Sequence, residues 1–178
     1  LYDDSIEREN VSERNFKRKN INLKKEETMP DYNATVNWKR ETPDFNYDTF
    51  DRTHRIDFAG GVQCQASSAP EFLGKANLVN PEELLASALA SCHMLTFLAV
   101  ASKSRVSVKS YTDEAIATLD KNTEGKMCVT KITLHPKVVF DSAETISLEK
   151  INELHAKAHK HCFIANSIAA KVVIEPQA

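Results

Sequence analysis

Glycine and proline are both scarce in this chain, at 4 and 6 among 178 residues. That excludes collagen-like repeats and low-complexity, loop-dominated classes. Cysteine numbers only 4, at Cys64, Cys92, Cys128 and Cys162, with no C-x-x-C pair. Widely spaced cysteines in a chain long enough to bury its own core are not a disulfide scaffold. Neither sign of charge dominates: 23 Lys and Arg stand against 25 Asp and Glu, for a net charge of −2. With no basic excess to neutralise phosphates, no nucleic-acid partner is expected. No apolar run approaches the ~20 uninterrupted residues of a membrane helix. The greasiest stretch, Leu84 to Ala101, carries Ser87, Ser91, Cys92, His93 and Thr96, and reads as a buried helix, so no membrane partner is expected. The opening LYDDSIEREN has no basic segment leading into an apolar one. No secretory signal is therefore expected, and the expected location is cytoplasmic.

What is present describes one folded domain behind a charged tail. Residues 1–28 are about half charged with both signs mixed and no clean period, the composition of a solvated, disordered segment. Met29 is a plausible natural start, and 29–178 forms the domain. Tyr32, Ala34, Val36 and Trp38 alternate with polar residues, which predicts a half-buried strand with Trp38 in the core. His54–Phe58 and Val62–Ala66 predict two strands joined by Ala59-Gly60-Gly61. Asn80-Pro81 with Glu83 three residues after Asn80 is a helix start with a capping box. The helix to Lys103 is apolar on nearly all sides and so should be buried on several faces. Val106–Leu119 and Lys126–Phe140 predict two more strands, Ser147 caps a second helix ending near Cys162, and Lys171–Glu175 is a last strand. The expected order is β-β-β-α-β-β-α-β, an α+β domain around a long central helix.

Two segments carry chemistry. One is Asn80-Pro81-Glu82-Glu83-Leu84-Leu85-Ala86-Ser87-Ala88-Leu89-Ala90-Ser91-Cys92-His93, and the other is His161-Cys162-Phe163-Ile164-Ala165-Asn166-Ser167. Alone, each cysteine is an ordinary small buried residue. Together the segments resemble the main-helix signature and second-cysteine segment of the OsmC/Ohr family, the osmotically induced and organic hydroperoxide resistance proteins. The resemblance runs from about Asp31 to Pro176. It departs from the best-known members in His93-Met94 after the first cysteine and in lacking Pro after the second.

The resemblance implies an OsmC-like fold as an intertwined homodimer, and thiol peroxidase activity without a cofactor, in oxidative-stress defence. It maps the peroxide-attacking cysteine to Cys92, the resolving cysteine to Cys162 and the helix-start glutamate to Glu82. It also implies an arginine on the early strands: Arg52 is the choice, with Arg40 and Arg55 as alternatives. The implied partners are an organic hydroperoxide and an external dithiol reductant, usually a lipoylated protein in this family.

Elementary chemistry agrees with these roles. Only the thiolate attacks a peroxide oxygen, and burial in mid-helix opposes the thiolate, so a compensating cation is expected beside Cys92. A buried guanidinium needs an anion in turn, and Glu82 is the candidate. The apolar neighbours Leu89, Leu95 and Phe97 would favour an alkyl hydroperoxide, and His54 would sit at the pocket rim. Glu82 and Cys92 stand ten residues apart on one helix, about 15 Å at ~1.5 Å per residue. One arginine cannot easily reach both within a chain, which predicts composite sites in the dimer.

Competing readings use the same residues. Cys92 with His93 could belong to a hydrolase or thioesterase, although His93 points roughly 100° away from Cys92 on the helix. The cysteines could be passive in a non-catalytic dimeric binding domain. His155, His159 and Cys162 share a helix face and could bind zinc, against the plainer reading of histidines near a helix C-terminus; no metal is assigned. Cys64 and Cys128 are expected to be passive.

Overall fold

The computed structural model describes Met29, residues 31–141 and residues 146–177. The charged segment 1–28, expected as a solvated tail, lies outside the described residues. The folded unit is Asn33–Ala178. It opens with three strands, β1 (Ala34–Asn37), β2 (His54–Phe58) and β3 (Gln63–Ala66), paired antiparallel in that order. Helix α1 (Pro81–Lys103) follows, then strands β4 (Val108–Asp113), β5 (Ile116–Lys121), β6 (Met127–Leu134) and β7 (Pro136–Phe140). Helix α2 (Leu148–His161) and strand β8 (Lys171–Ile174) complete the α+β fold.

Each of the two long strands expected between the helices is divided, which corrects the order to β-β-β-α-β-β-β-β-α-β. β4 pairs with β7, while β5 pairs with β6, and β6 takes β8 in parallel on its other side. The break has a local cause. Pro136 has no N–H to give to a ladder, and at the corner Asp113 Oδ1 accepts from the His135 backbone N–H at 2.8 Å. Burial raises the Asp113 carboxyl above the usual range, and it also raises the Tyr111 phenol beside it.

The start of α1 follows its sequence. The Asn80 side chain accepts from Glu83 N at 2.8 Å while the Glu83 carboxylate accepts from Asn80 N at 3.0 Å. The chain is delivered there by a tight loop after β3 in which a β-carbon on Gly74 would lie 1.6 Å from the Ser68 carbonyl oxygen. No other residue fits at Gly74 without moving backbone. A parallel bridge between Ala66 and Val79 then ties the end of β3 to the helix start.

Burial on α1 is narrower than its composition suggests. Ala86, Leu89, His93, Phe97 and Ala101 form one buried stripe, spaced as a single helix face. Leu95 is 60% exposed, on a face that the described residues of one chain leave uncovered. By length and composition α1 could cross a bilayer, but here its stripe packs on α2 and on β4, β5 and β6. Leu89 clusters with Cys162, whereas Phe97 and Ala101 cluster with Leu154 and Ala158. The two helices therefore run antiparallel along their seam.

The first sheet also departs from expectation. All four residues of β1 are exposed, and Trp38 is 42% exposed rather than core. The alternation of Ala34, Val36 and Trp38 asks for a covering layer, and the described residues of one chain do not supply it.

Candidate active site

The two cysteines meet at the α1–α2 seam. Cys92, partly buried in the middle of α1, packs against the cluster that holds Cys162, which is fully buried at the C-terminal cap of α2, and each thiol shifts the ionisation of the other. Both are free thiols. Cys162 sits there because α2 ends on it: its backbone turns to φ −74°, ψ 114°. The chain then folds back through hydrogen bonds from Asn166 N to Cys162 O at 3.1 Å and from Ser167 N to Ile164 O at 3.0 Å. Ser167 Oγ donates to Phe163 O at 2.8 Å, which closes the turn.

That turn aims backbone N–H groups at sulfur. Burial pushes the Cys92 thiol up, but donors from Ile164 N–H, the Cys162 thiol, Phe163 N–H and the Thr96 hydroxyl outweigh it, so Cys92 ionises below the ordinary thiol value. The Thr96 hydroxyl also reaches the Cys92 carbonyl at 2.8 Å and can serve only one acceptor at a time. Cys162 moves the other way. Burial and its donation to Cys92 push it up to about 11, against opposing contacts from Ala165 N–H at 3.5 Å and from Ile164 N–H. One thiol ionises more easily than an ordinary cysteine and its neighbour less easily.

Among the described residues, no cation bears on the ionisation of Cys92. Arg52 donates through Nη1 to Phe50 O at 3.0 Å and through Nη2 to Tyr47 O at 2.6 Å. Its guanidinium lies over the Phe50 ring at 4.0 Å. It lines an open cavity of about 390 Å³ with Trp38, Phe45, Phe50, His54 and Ser67, which does not include Cys92. Arg55 instead pairs with Asp57 at 2.9 Å, and Arg40 is exposed. Of the three arginines, only Arg52 faces a cavity.

Glu82 is elsewhere again, in a groove with Asp113, Ala115 and Ala117. It makes no ion pair or side-chain hydrogen bond among the described residues. Within one chain, then, Cys92 and Cys162 come together while Arg52 and Glu82 join neither them nor each other. The proposed pocket residues are similarly divided. Leu89 is fully buried in the cluster that holds Cys162, and Phe97 is fully buried in the other cluster. Leu95 points outward, and His54 shares the Arg52 cavity.

Two of the histidines pair with each other across the helix seam. His93 Nε2 lies 3.1 Å from His155 Nδ1, and no histidine among the described residues hydrogen-bonds to either thiol. His155 Nδ1 is engaged by His93, and no group of three or more metal-ligating side chains occurs among the described residues. Burial lowers both imidazoles to about 4, with the charges of His155 and His159 adding to the effect on His93.

This depression has a consequence for stability. In the unfolded chain a histidine protonates near pH ~6.5, whereas in the fold these two stay neutral until about pH 4. Their contribution is complete above the unfolded value and falls as pH drops through that window. Lowering the pH from 7 to 5 should cost about 2–4 kcal/mol of unfolding free energy, at about 1.4 kcal/mol per tenfold change in proton affinity. Denaturant titrations at both pH values should show that loss in the native chain and little of it in a His93→Gln/His155→Asn variant. Equal slopes would contradict it.

Comparison with known proteins decides the family. Residues 74–177 match the OsmC-like protein family. A structure of an OsmC-like protein of unknown function from Vibrio cholerae is 42% identical, covering 84% of this chain and all of that one, with a TM-score of 0.80. The chain belongs to the OsmC-like family. More distant structures share the fold. An organic hydroperoxide resistance protein from Elizabethkingia anophelis has a TM-score of 0.64 at 16% identity, over 84% of this chain and 96% of its own. The organic hydroperoxide resistance protein OhrB of Bacillus subtilis has a TM-score of 0.62 at 20% identity, over 83% and 98%. No curated protein matches.

The sequence pointed to the two cysteines but not to what surrounds them. The amide donors of Phe163 and Ile164 and the His93–His155 bond were not anticipated. The signal for the first was Asn166 and Ser167 just after Cys162, residues that favour turns. For the second, only His93 and His155 each falling on its helix's apolar stripe hinted at a buried pair.

Proposed function

We propose that this OsmC-like protein is a dithiol-dependent peroxidase that reduces organic hydroperoxides to alcohols. The observation that carries the reading is the Cys92–Cys162 contact, with one thiol shifted down and the other up. The Cys92 thiolate attacks the distal oxygen of ROOH and the O–O bond breaks. Cys92 becomes the sulfenic acid, and the departing alkoxide takes a proton to give ROH. The Cys162 thiol then attacks that sulfur, forming the disulfide and releasing water. An external dithiol reduces the disulfide and is itself oxidised, and a lipoylated protein suits that role.

The working unit is proposed to be a homodimer. The bare face of β1, the exposed Leu95 and the Arg52 cavity all await cover. A second chain placed there would bring Arg52 and His54 towards the partner's Cys92, beside apolar walls that favour an alkyl or aryl peroxide. The Glu82 carboxylate would balance the guanidinium.

A hydrolase reading has less support, because His93 faces His155 rather than Cys92. Steady-state assays separate the two. Cumene hydroperoxide should be consumed over many turnovers with dihydrolipoamide present, and acyl thioesters should not be hydrolysed. The opposite pattern would replace the peroxidase reading with the hydrolase one.

A further inference from the structure

Among the described residues, four buried side-chain atoms lack a hydrogen-bond partner, and three are histidine nitrogens: His93 Nδ1, His155 Nε2 and His159 Nδ1. His93 is fully buried and His155 is 3% exposed. Their rings lie within 5° of one plane with centroids 5.4 Å apart, the arrangement of two imidazoles joined edge to edge by one N–H···N bond rather than stacked face to face. Phe97 packs against His155 at 4.4 Å, and the seam on either side is apolar. A leucine pair would fill such a place without leaving two ring nitrogens unpartnered. The pair is therefore a poor device for stability alone.

Its placement gives it another use. His93 follows Cys92 directly on α1, and His155 lies two turns before Cys162 on α2. The apolar contacts of Leu89, Phe97, Leu154 and Ala158 are not directional, so they hold the helices together without fixing how far one slides along the other. A hydrogen bond is directional. A disulfide needs its two Cα atoms within about 7 Å, and a slip of one residue moves a helix by ~1.5 Å. The end of α2 also carries the Phe163 and Ile164 amides that reach Cys92.

We propose that His93 and His155 are positioning residues for the disulfide step: their mutual hydrogen bond sets the register of α2 on α1 so that Cys162 stays against Cys92. This rests on the dithiol reading of those cysteines. Neither histidine touches a reacting sulfur, and neither acts as a base.

The test measures the Cys92–Cys162 disulfide equilibrium in buffers of reduced and oxidised dithiothreitol, alongside denaturant unfolding of the reduced protein. The His93→Leu/His155→Leu variant should be at least as stable as the native chain when reduced, yet form the disulfide with an equilibrium constant about tenfold lower or less. A second comparison does not depend on that variant folding. His155→Asn, which keeps a hydrogen-bonding atom near the Nδ1 position, should remain within about threefold of the native equilibrium, whereas His155→Val should fall about tenfold. An unchanged equilibrium in the leucine and valine variants overturns the proposal. So does a loss that merely tracks lost stability of the reduced fold. A native chain that ignores hydroperoxide but still shows the histidine dependence would remove the peroxidase reading and leave the positioning role standing.

Discussion

Cys92→Ser should reduce hydroperoxide consumption to the uncatalysed background, while Cys162→Ser should rapidly consume one equivalent and then fail to turn over. The difference follows from the opposed environments of the two thiols. Cys92 collects donors from Ile164, Phe163, Thr96 and Cys162 that favour its thiolate, and Cys162 is held protonated by burial and by its bond to Cys92. Serine at position 92 leaves a hydroxyl that cannot attack peroxide oxygen at neutral pH. Cys162, whose burial still opposes its ionisation in that variant, is too rarely a thiolate to replace it. Serine at position 162 removes the resolving thiol but leaves Cys92 able to react once. That variant should accumulate Cys92 sulfenic acid, trappable with a 1,3-dione and visible by mass, and then overoxidise with excess peroxide. Multiple turnover by Cys92→Ser would overturn the assignment.

Mixing two inactive variants should restore activity. Arg52→Met is expected to be inactive because it removes the guanidinium, and Cys92→Ser because it removes the nucleophile. If each site combines Arg52 of one chain with Cys92 of the other, a mixed dimer contains one intact site and one doubly damaged site. Random exchange makes half of the dimers mixed, so activity should recover to roughly a quarter of the native level. The expectation rests on geometry. Arg52 lies in its own cavity with Phe50 and His54, and Cys92 lies against the end of α2, so one chain does not bring them together. The exposed β1 and Leu95 leave surface that a second copy could cover. Mixing is done by denaturing and refolding the two variants together, with each refolded alone as a control. No recovery from correctly refolded mixtures would place the whole site within one chain or remove Arg52 from it.

Much of the fold was legible because its signals are local. The Asn80–Glu83 capping box marked the start of α1, Ser147 that of α2, period-two alternation marked β1, and the Ala59-Gly60-Gly61 turn marked the junction of β2 and β3. The misreadings came from properties that reside in contacts across the chain. The division of the long strands at His135-Pro136 depends on Asp113, which lies distant in sequence but reaches the His135 amide. The exposure of β1 and Trp38 depends on what covers them, and alternation reports only that a face is apolar. The site was legible through its two cysteines, whose segments carry a family signature. The means of lowering the Cys92 pKa was not. A cation was expected from the general chemistry of buried thiols, whereas the described chain supplies peptide N–H groups, which every residue but proline carries and which composition therefore cannot reveal. His93 and His155 were likewise visible as residues but not as a pair, since 62 positions separate them.

The central claim is that Cys92 and Cys162 act as one redox couple. The most direct measurement adds one equivalent of an organic hydroperoxide to fully reduced native protein, counts free thiols within seconds and maps any bridge by mass spectrometry. The account predicts that two of the four thiols disappear and that the peptides holding Cys92 and Cys162 become linked. Retention of all four thiols, or a bridge that involves Cys64 or Cys128 instead, would contradict it.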